Sequence, residues 1–399
     1  MRAYDAVLTK GGGMTYKVLT RDEHYQSAGP KRILALDGGG LRGMLSLGIL
    51  RHLEAELRAR HGGLAAFRLG HYFDLIAGTS TGAIIAAALA IGMTVDEVIA
   101  HYQRLGREVF AKSWLRDGIV RARYDEQTLS AHLRAVFGAT TTLGDPAIQT
   151  GLLVVTKRFD TGSVWPLGNN PRGKYFVAAP GSLRIANADF PLWKVVRAST
   201  AAPSYFDPEA LTIATGPDKQ PVDGTFVDGG VSPFNNPSLQ ALMYATLSGH
   251  GVQWPTGADR LLLISIGTGT AAAAAAGSPI AAKGALRALV SVMNDCGTLV
   301  ETMMQWMSTS PTARPIDRQI GALEPDLLGG VALLSYLRYN LRLADVDTLR
   351  PGLPASRVAT LGALDAPENL DLLLELGDLT ARRSLRGADI GAGFDLASV

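Results

Sequence analysis

One local pattern, used twice near the start of the chain, constrains the fold more than anything else. A short, largely apolar run enters a glycine-rich turn, and a helical pattern follows at once. Ile33-Leu34-Ala35-Leu36 leads into Asp37-Gly38-Gly39-Gly40-Leu41-Arg42-Gly43, and Tyr72 to Ala77 leads into Gly78-Thr79-Ser80-Thr81-Gly82. Continuous apolar runs of this length fit strands of a sheet covered on both faces. Glycines directly after a strand let the next helix start close against the sheet. Met44 to Arg60 carries Leu45, Ile49, Leu50, Leu53 and Leu57 along one helical side, and Ala83 to Ile91 is an almost wholly apolar helix. Thr94 and Glu97 form a capping box that opens a further helix to about Phe110.

Further strands are expected at Leu152–Thr156, Tyr175–Ala178, Thr225–Asp228 and Leu261–Ile266, the last running into Gly267-Thr268-Gly269. Asn236-Pro237 gives a helix start before Leu239 to Leu247. Strands alternating with helices predict a layered α/β domain with a largely parallel central sheet. The expected organisation is a peripheral N-terminal arm over 1–30, a catalytic core over 31–270, and a mostly helical C-terminal region over 271–399 that packs on the core. A six-alanine run at 271–276 marks the change in composition, and a helix rich in methionine follows over Lys283 to Met307, with another over Glu368 to Arg383. The methionine-rich helix has two readings, ordinary core packing or a lining for an apolar ligand beside Ser80.

Charge and cysteine usage exclude several classes. A formal net charge of +2 over 399 residues gives no electrostatic footprint for nucleic acid as a partner. The single cysteine, Cys296, rules out an intramolecular disulfide and a multi-cysteine zinc site. Met1 to Leu19 lacks the basic start and apolar core of a secretory signal. Ala83 to Met93, the longest apolar stretch, falls short of the roughly 20 residues of a spanning helix. A soluble, cytoplasmic protein is expected, in a form compatible with touching a membrane surface.

The chemistry centres on Ser80. Gly78 and Gly82 flank it in a Gly-x-Ser-x-Gly turn between strand and helix, a geometry that exposes a serine hydroxyl as a nucleophile. The earlier loop offers a row of backbone N–H groups suited to an oxyanion. Gly38, Gly40 and Gly43 also satisfy the dinucleotide pattern Gly-x-Gly-x-x-Gly. That fold needs an acid at the end of the second strand to hold a ribose, and Gly78-Thr79-Ser80 stands there instead. A serine nucleophile needs a base. Thr225-Phe226-Val227-Asp228-Gly229-Gly230 delivers an aspartate from a strand end into a glycine turn. Two arrangements stay open: Asp228 acting directly on Ser80, or a Ser80–Asp228–His250 triad, with His250 in a glycine-flanked turn.

Asp-Gly-Gly-Gly-x-Arg-Gly at 37–43, Gly-Thr-Ser-Thr-Gly at 78–82 and Asp-Gly-Gly at 228–230 together resemble the patatin-like phospholipases. Arg197 to Pro203 with Tyr205-Phe206, and Ser265 to Gly269, are similar to two further blocks of that family. The resemblance covers about residues 31–270 and implies a layered α/β/α fold and a lipid acyl hydrolase of phospholipase A type. It implies a Ser80–Asp228 dyad with no catalytic histidine, no cofactor, no metal and no calcium requirement. It further implies an oxyanion hole at Gly38, Gly39 and Gly40, with Arg42 supporting it. Gly43, Gly78, Gly82, Gly229 and Gly230 are then the supporting glycines. Glycerophospholipids or other acyl esters are the implied substrates. A cyclic nucleotide activator, as in bacterial effectors of this family, and a homodimeric state stay open.

Overall fold

The computed structural model describes residues 16–110, 126–270 and 281–398. The six-alanine run at 271–276 lies outside the described residues. A nine-stranded sheet organises the rest. Its strands are β1 (Lys31–Leu36), β2 (Leu75–Thr79), β3 (Gly151–Arg158), β4 (Val164–Gly168), β5 (Glu209–Thr215), β6 (Pro221–Asp228), β7 (Leu261–Ile266), β8 (Ser308–Thr309) and β9 (Leu334–Tyr339). They run in the order β5-β6-β3-β2-β1-β7-β9-β8, with β4 paired to β3. The ladders from β3 through β2, β1, β7 and β9 to β8 are parallel. Those joining β3 to β4, β3 to β6 and β5 to β6 are antiparallel.

Every residue of β1, β2 and β7 is buried, as their apolar sequences require. Alternate residues feed two cores. Leu34, Leu36, Ile76 and Ile264 pack with the helices Gly43–Arg60, Thr81–Ala90 and Leu370–Ser384 on one face. Ile33, Ala35, Leu75 and Leu263 pack with Ser238–Thr246 and Ala281–Trp306 on the other. The result is the three-layer arrangement that the strand–helix alternation predicts. The capping box forms as expected, Thr94 Oγ1 accepting from the Glu97 amide and the Glu97 carboxylate accepting from the Thr94 amide.

One expectation differs from what is seen. Tyr175–Ala178 is an irregular loop rather than a strand, closed by turns such as Phe176 N–H to Gly173 O at 2.9 Å. Pro171 and Gly173 before it, and Pro180 and Gly181 after it, leave too short a run to pair. Beyond residue 270 the described residues are mostly helical, as expected, and β8 and β9 in addition extend the central sheet. β9 is laid parallel to β7, so the sheet continues through the composition change.

Candidate active site

β2 ends at Thr79 and the helix Thr81–Ala90 begins two residues later, leaving Ser80 alone at the corner. Its backbone sits at φ 55°, ψ −123°, a positive-φ conformation that costs a non-glycine residue on the order of 1–3 kcal/mol. The flanking glycines make the corner sterically feasible. A Cβ on Gly82 would lie 2.1 Å from the Leu36 carbonyl oxygen, and one on Gly78 would lie 2.2 Å from that of Gly82. The surroundings hold the strained turn in place. The Ser80 amide donates to Ser199 Oγ at 2.8 Å, Ser199 Oγ donates to the Val155 carbonyl at 2.7 Å, and Thr79 Oγ1 donates to the Phe234 carbonyl at 2.7 Å.

Asp228 arrives from β6. Its position is fixed by register with Thr156 of β3 and by its own amide, which donates to the Ala201 carbonyl at 2.9 Å. Ser80 Oγ donates to Asp228 Oδ2 at 2.5 Å, and the Gly230 amide donates to Oδ1 at 2.6 Å. Gly229 and Gly230 form the turn that follows. Asp228 is only 4% exposed. Burial raises its pKa from 3.8 to about 6, against the lowering effect of the hydrogen bonds from Ser80 and Gly230 and of Arg197. A carboxylate held this way has a much higher proton affinity than one in water, which is what a general base at neutral pH requires.

The first glycine loop crosses beside this pair. Gly39 and Gly40 line the same cleft as Ser80 and Asp228. Gly38 is set back, its amide donating to the Asn235 carbonyl at 3.0 Å. The loop is packed against protein on its outer side. Cβ atoms on Gly38, Gly39 and Gly40 would lie 2.4 Å from Asn235 Oδ1, 2.2 Å from Thr268 Oγ1 and 2.3 Å from the Leu364 carbonyl. Thr81 Oγ1 and the Tyr102 hydroxyl both donate to the Gly40 carbonyl, at 2.9 Å and 2.5 Å, which leaves the Gly40 peptide little freedom. Gly43 opens the helix Gly43–Arg60.

Arg42 is buried beneath the loop and does not line the cleft. Burial pulls its pKa down to about 10, with Asp37 and Tyr205 opposing. The stronger tie on the loop comes from the far end of the chain. Arg338 on β9 grips Asp37 with two hydrogen bonds, Nη1 to Oδ1 at 2.8 Å and Nη2 to Oδ2 at 2.6 Å, and donates to Ser265 Oγ at 2.7 Å. Burial works against both charges, and the Asp37 carboxylate holds Arg338 firmly cationic.

The cleft above Ser80 is walled by Leu105, Phe110, Leu129, Tyr205, Phe206 and Met293. The methionine-rich helix divides between cleft and core. Val290 and Met293 face the cleft, while Met304 and Met307 are buried in the core. His250 stands elsewhere, its ring 4.9 Å from that of Tyr244 in a cavity that includes neither Ser80 nor Asp228. Ser199, Asn235, Tyr102 and Arg338 carry much of the positioning. Only Ser199 falls in a block that the sequence singles out, and the other three are ordinary polar residues with no local signature.

Among the described residues, no group of three or more His, Cys, Asp and Glu side chains is placed to hold a metal ion. Among the same residues, no helix is long and apolar enough to cross a membrane.

Residues 34–242 match the family model for patatin-like phospholipase. The chain is 28% identical over 259 residues to a probable inactive patatin-like protein 9 of Arabidopsis thaliana, covering 62% of this chain and 62% of that protein. It is 30% identical over 217 residues to a cGAMP-activated phospholipase of Escherichia coli strain TW11681, covering 53% of this chain and 55% of the relative. It is 32% identical over 252 residues to a calcium-independent phospholipase A2-gamma of Rattus norvegicus, covering 60% of this chain and 28% of the relative. The chain thus spans less than two thirds of the length of each of these relatives.

Proposed function

The chain belongs to the patatin-like phospholipase family, and on that premise we propose that it is a phospholipase A-type lipid acyl hydrolase working through Ser80 and Asp228. The observation that carries the reading is the 2.5 Å hydrogen bond from Ser80 Oγ to the buried Asp228 carboxylate, at the floor of an apolar cleft. A family relative named as probably inactive shows that membership alone does not assign activity, so the site must carry it.

Asp228 accepts the Ser80 proton as Oγ attacks the ester carbonyl carbon of a glycerophospholipid. The negative charge that develops on the carbonyl oxygen is met by amides of the Gly39–Gly40 loop and by the positive end of the Thr81–Ala90 helix. Collapse of the tetrahedral intermediate breaks the ester C–O bond, and the leaving lysolipid oxygen takes the proton from Asp228. Water then attacks the acyl-Ser80 ester, giving its proton to Asp228, and Ser80 recovers a proton as the fatty acid departs. The apolar walls at Phe110, Phe206 and Met293 suit an acyl chain, and Asn235 and Ser199 hold the geometry without taking part in bond changes.

Calcium independence and a cytoplasmic site of action are part of the same reading. Charge stabilisation is assigned to backbone amides, and the rat relative is named calcium-independent. Contact with a membrane surface follows from the substrate. The Escherichia coli relative is named cGAMP-activated, which motivates a nucleotide-gated form of the proposal. The test is product analysis on mixed glycerophospholipid vesicles with wild type and Ser80→Ala, alongside labelling by a fluorophosphonate probe. Fatty acid release and labelling are expected from wild type only. Equal release by Ser80→Ala would sink the proposal.

A further inference from the structure

The turn at His250 lines a second cavity, separate from the cleft above Ser80. Its walls include Trp165, Tyr175, Phe176 and Tyr244, and its charged lining residues are Lys174 and Arg184, with no aspartate or glutamate. The two cationic groups each lie 5.4 Å from the centre of the Tyr175 ring. Neither is in an ion pair among the described residues. Tyr175 itself is 50% exposed. Two like charges drawn to one half-exposed ring repel each other, and an anion between them would remove that cost. Flat rings beside unpaired cations suit a ligand that combines an aromatic base with phosphate.

The cavity also connects to the catalytic base. Trp165 on β4 and Asp228 on β6 are both in register with Thr156 of β3. Thr156 Oγ1 donates to the Trp165 carbonyl at 2.9 Å. The Trp165 ring meets Phe226 edge to face, with centroids 5.4 Å apart, and Phe226 lies two residues before Asp228 on the same strand. A ligand that shifts Trp165 therefore presses on the strand that aims the carboxylate at Ser80.

We propose that this second cavity is an effector site for a nucleotide, its base against Tyr175 and Trp165 and its phosphate on Lys174 and Arg184, and that occupancy acts on Asp228 through Thr156 and Phe226. The inference rests on the hydrolase reading for its effect on turnover, but not for binding itself.

The experiment titrates the full chain with cyclic GMP–AMP, cyclic UMP–AMP and ATP by calorimetry, and measures fatty acid release from phospholipid vesicles with each. At least one is expected to bind and to change the release rate by about fivefold or more, in the usual range of coupling between sites. Tyr175→Ala should weaken binding by about tenfold, the loss expected for one base-stacking ring, while Tyr175→Phe retains it. Lys174→Glu with Arg184→Glu should abolish binding, with circular dichroism confirming the fold. Thr156→Val should bind as wild type yet respond less in rate. Binding of none of the three, or binding that survives both Tyr175→Ala and the charge reversal, overturns the assignment. A protein that binds but never releases fatty acid refutes the hydrolase reading and supports the cavity. A protein that hydrolyses but never binds does the opposite.

Discussion

Substituting Asp228 by asparagine separates what the carboxylate does for catalysis from what it costs the fold. Burial places the Asp228 pKa at about 6 instead of 3.8. The folded state therefore holds the proton more tightly than the unfolded chain between those values. Stability consequently falls as pH rises from about 3.8 to 6, and the full cost is present above that range. The gap corresponds to roughly 3 kcal/mol, and almost no solvent screening reduces it at a side chain this buried. Asp228→Asn keeps the shape and an acceptor for the Gly230 amide but cannot ionise. Denaturant unfolding of the two proteins should show equal stability near pH 4 and the variant ahead by up to about 3 kcal/mol above pH 7. In wild type, kcat/KM for lipid hydrolysis should climb with unit slope below about pH 6 and level off above about 7, as the base ionises. The variant should lose most of that activity at every pH. A variant less stable than wild type at pH 8, or a wild-type rate that stays flat from pH 5 to 8, would refute the reasoning.

Other consequences are simpler to check. Ser80→Gly should remove hydrolysis while stabilising the fold by about 1 kcal/mol, since glycine tolerates the positive φ that serine endures, and melting curves read the gain. Arg338→Met leaves the Asp37 carboxylate buried and unpaired, so a loss of about 3–5 kcal/mol is expected in urea unfolding, with part of it recovered in the double variant with Asp37→Asn. Fatty acid release should persist in excess chelator, and its disappearance there would contradict charge stabilisation by amides alone.

What was legible in the sequence was local. Strands β1, β2 and β7 announce themselves because burial on both faces demands largely apolar runs, and the Thr94–Glu97 box marks a helix start through two nearby side chains. Ser80 and Asp228 stand out as turn residues after strands, and the structure brings them together across 148 positions of chain. Nothing local distinguishes Asn235 or Tyr102, whose positions matter only because other segments arrive beside them. β9 was hidden for the same reason: Ser335 and Arg338 interrupt its apolar pattern, and Arg338 is satisfied by a partner from the first strand's turn. Tyr175–Ala178 shows the converse, a strand-like composition confined by proline and glycine on both sides.

The bond between Asp37 and Arg338 also orders events in time. The two residues are 301 positions apart. At about 5–20 residues per second, a ribosome needs roughly 15–60 s to travel between them. For most of that interval the nascent chain already carries Ser80, and in its later part Asp228 as well, but not the cation that neutralises the base of the glycine loop. The glycine loop therefore gains its counter-charge only with β9, the last strand of the sheet in chain order.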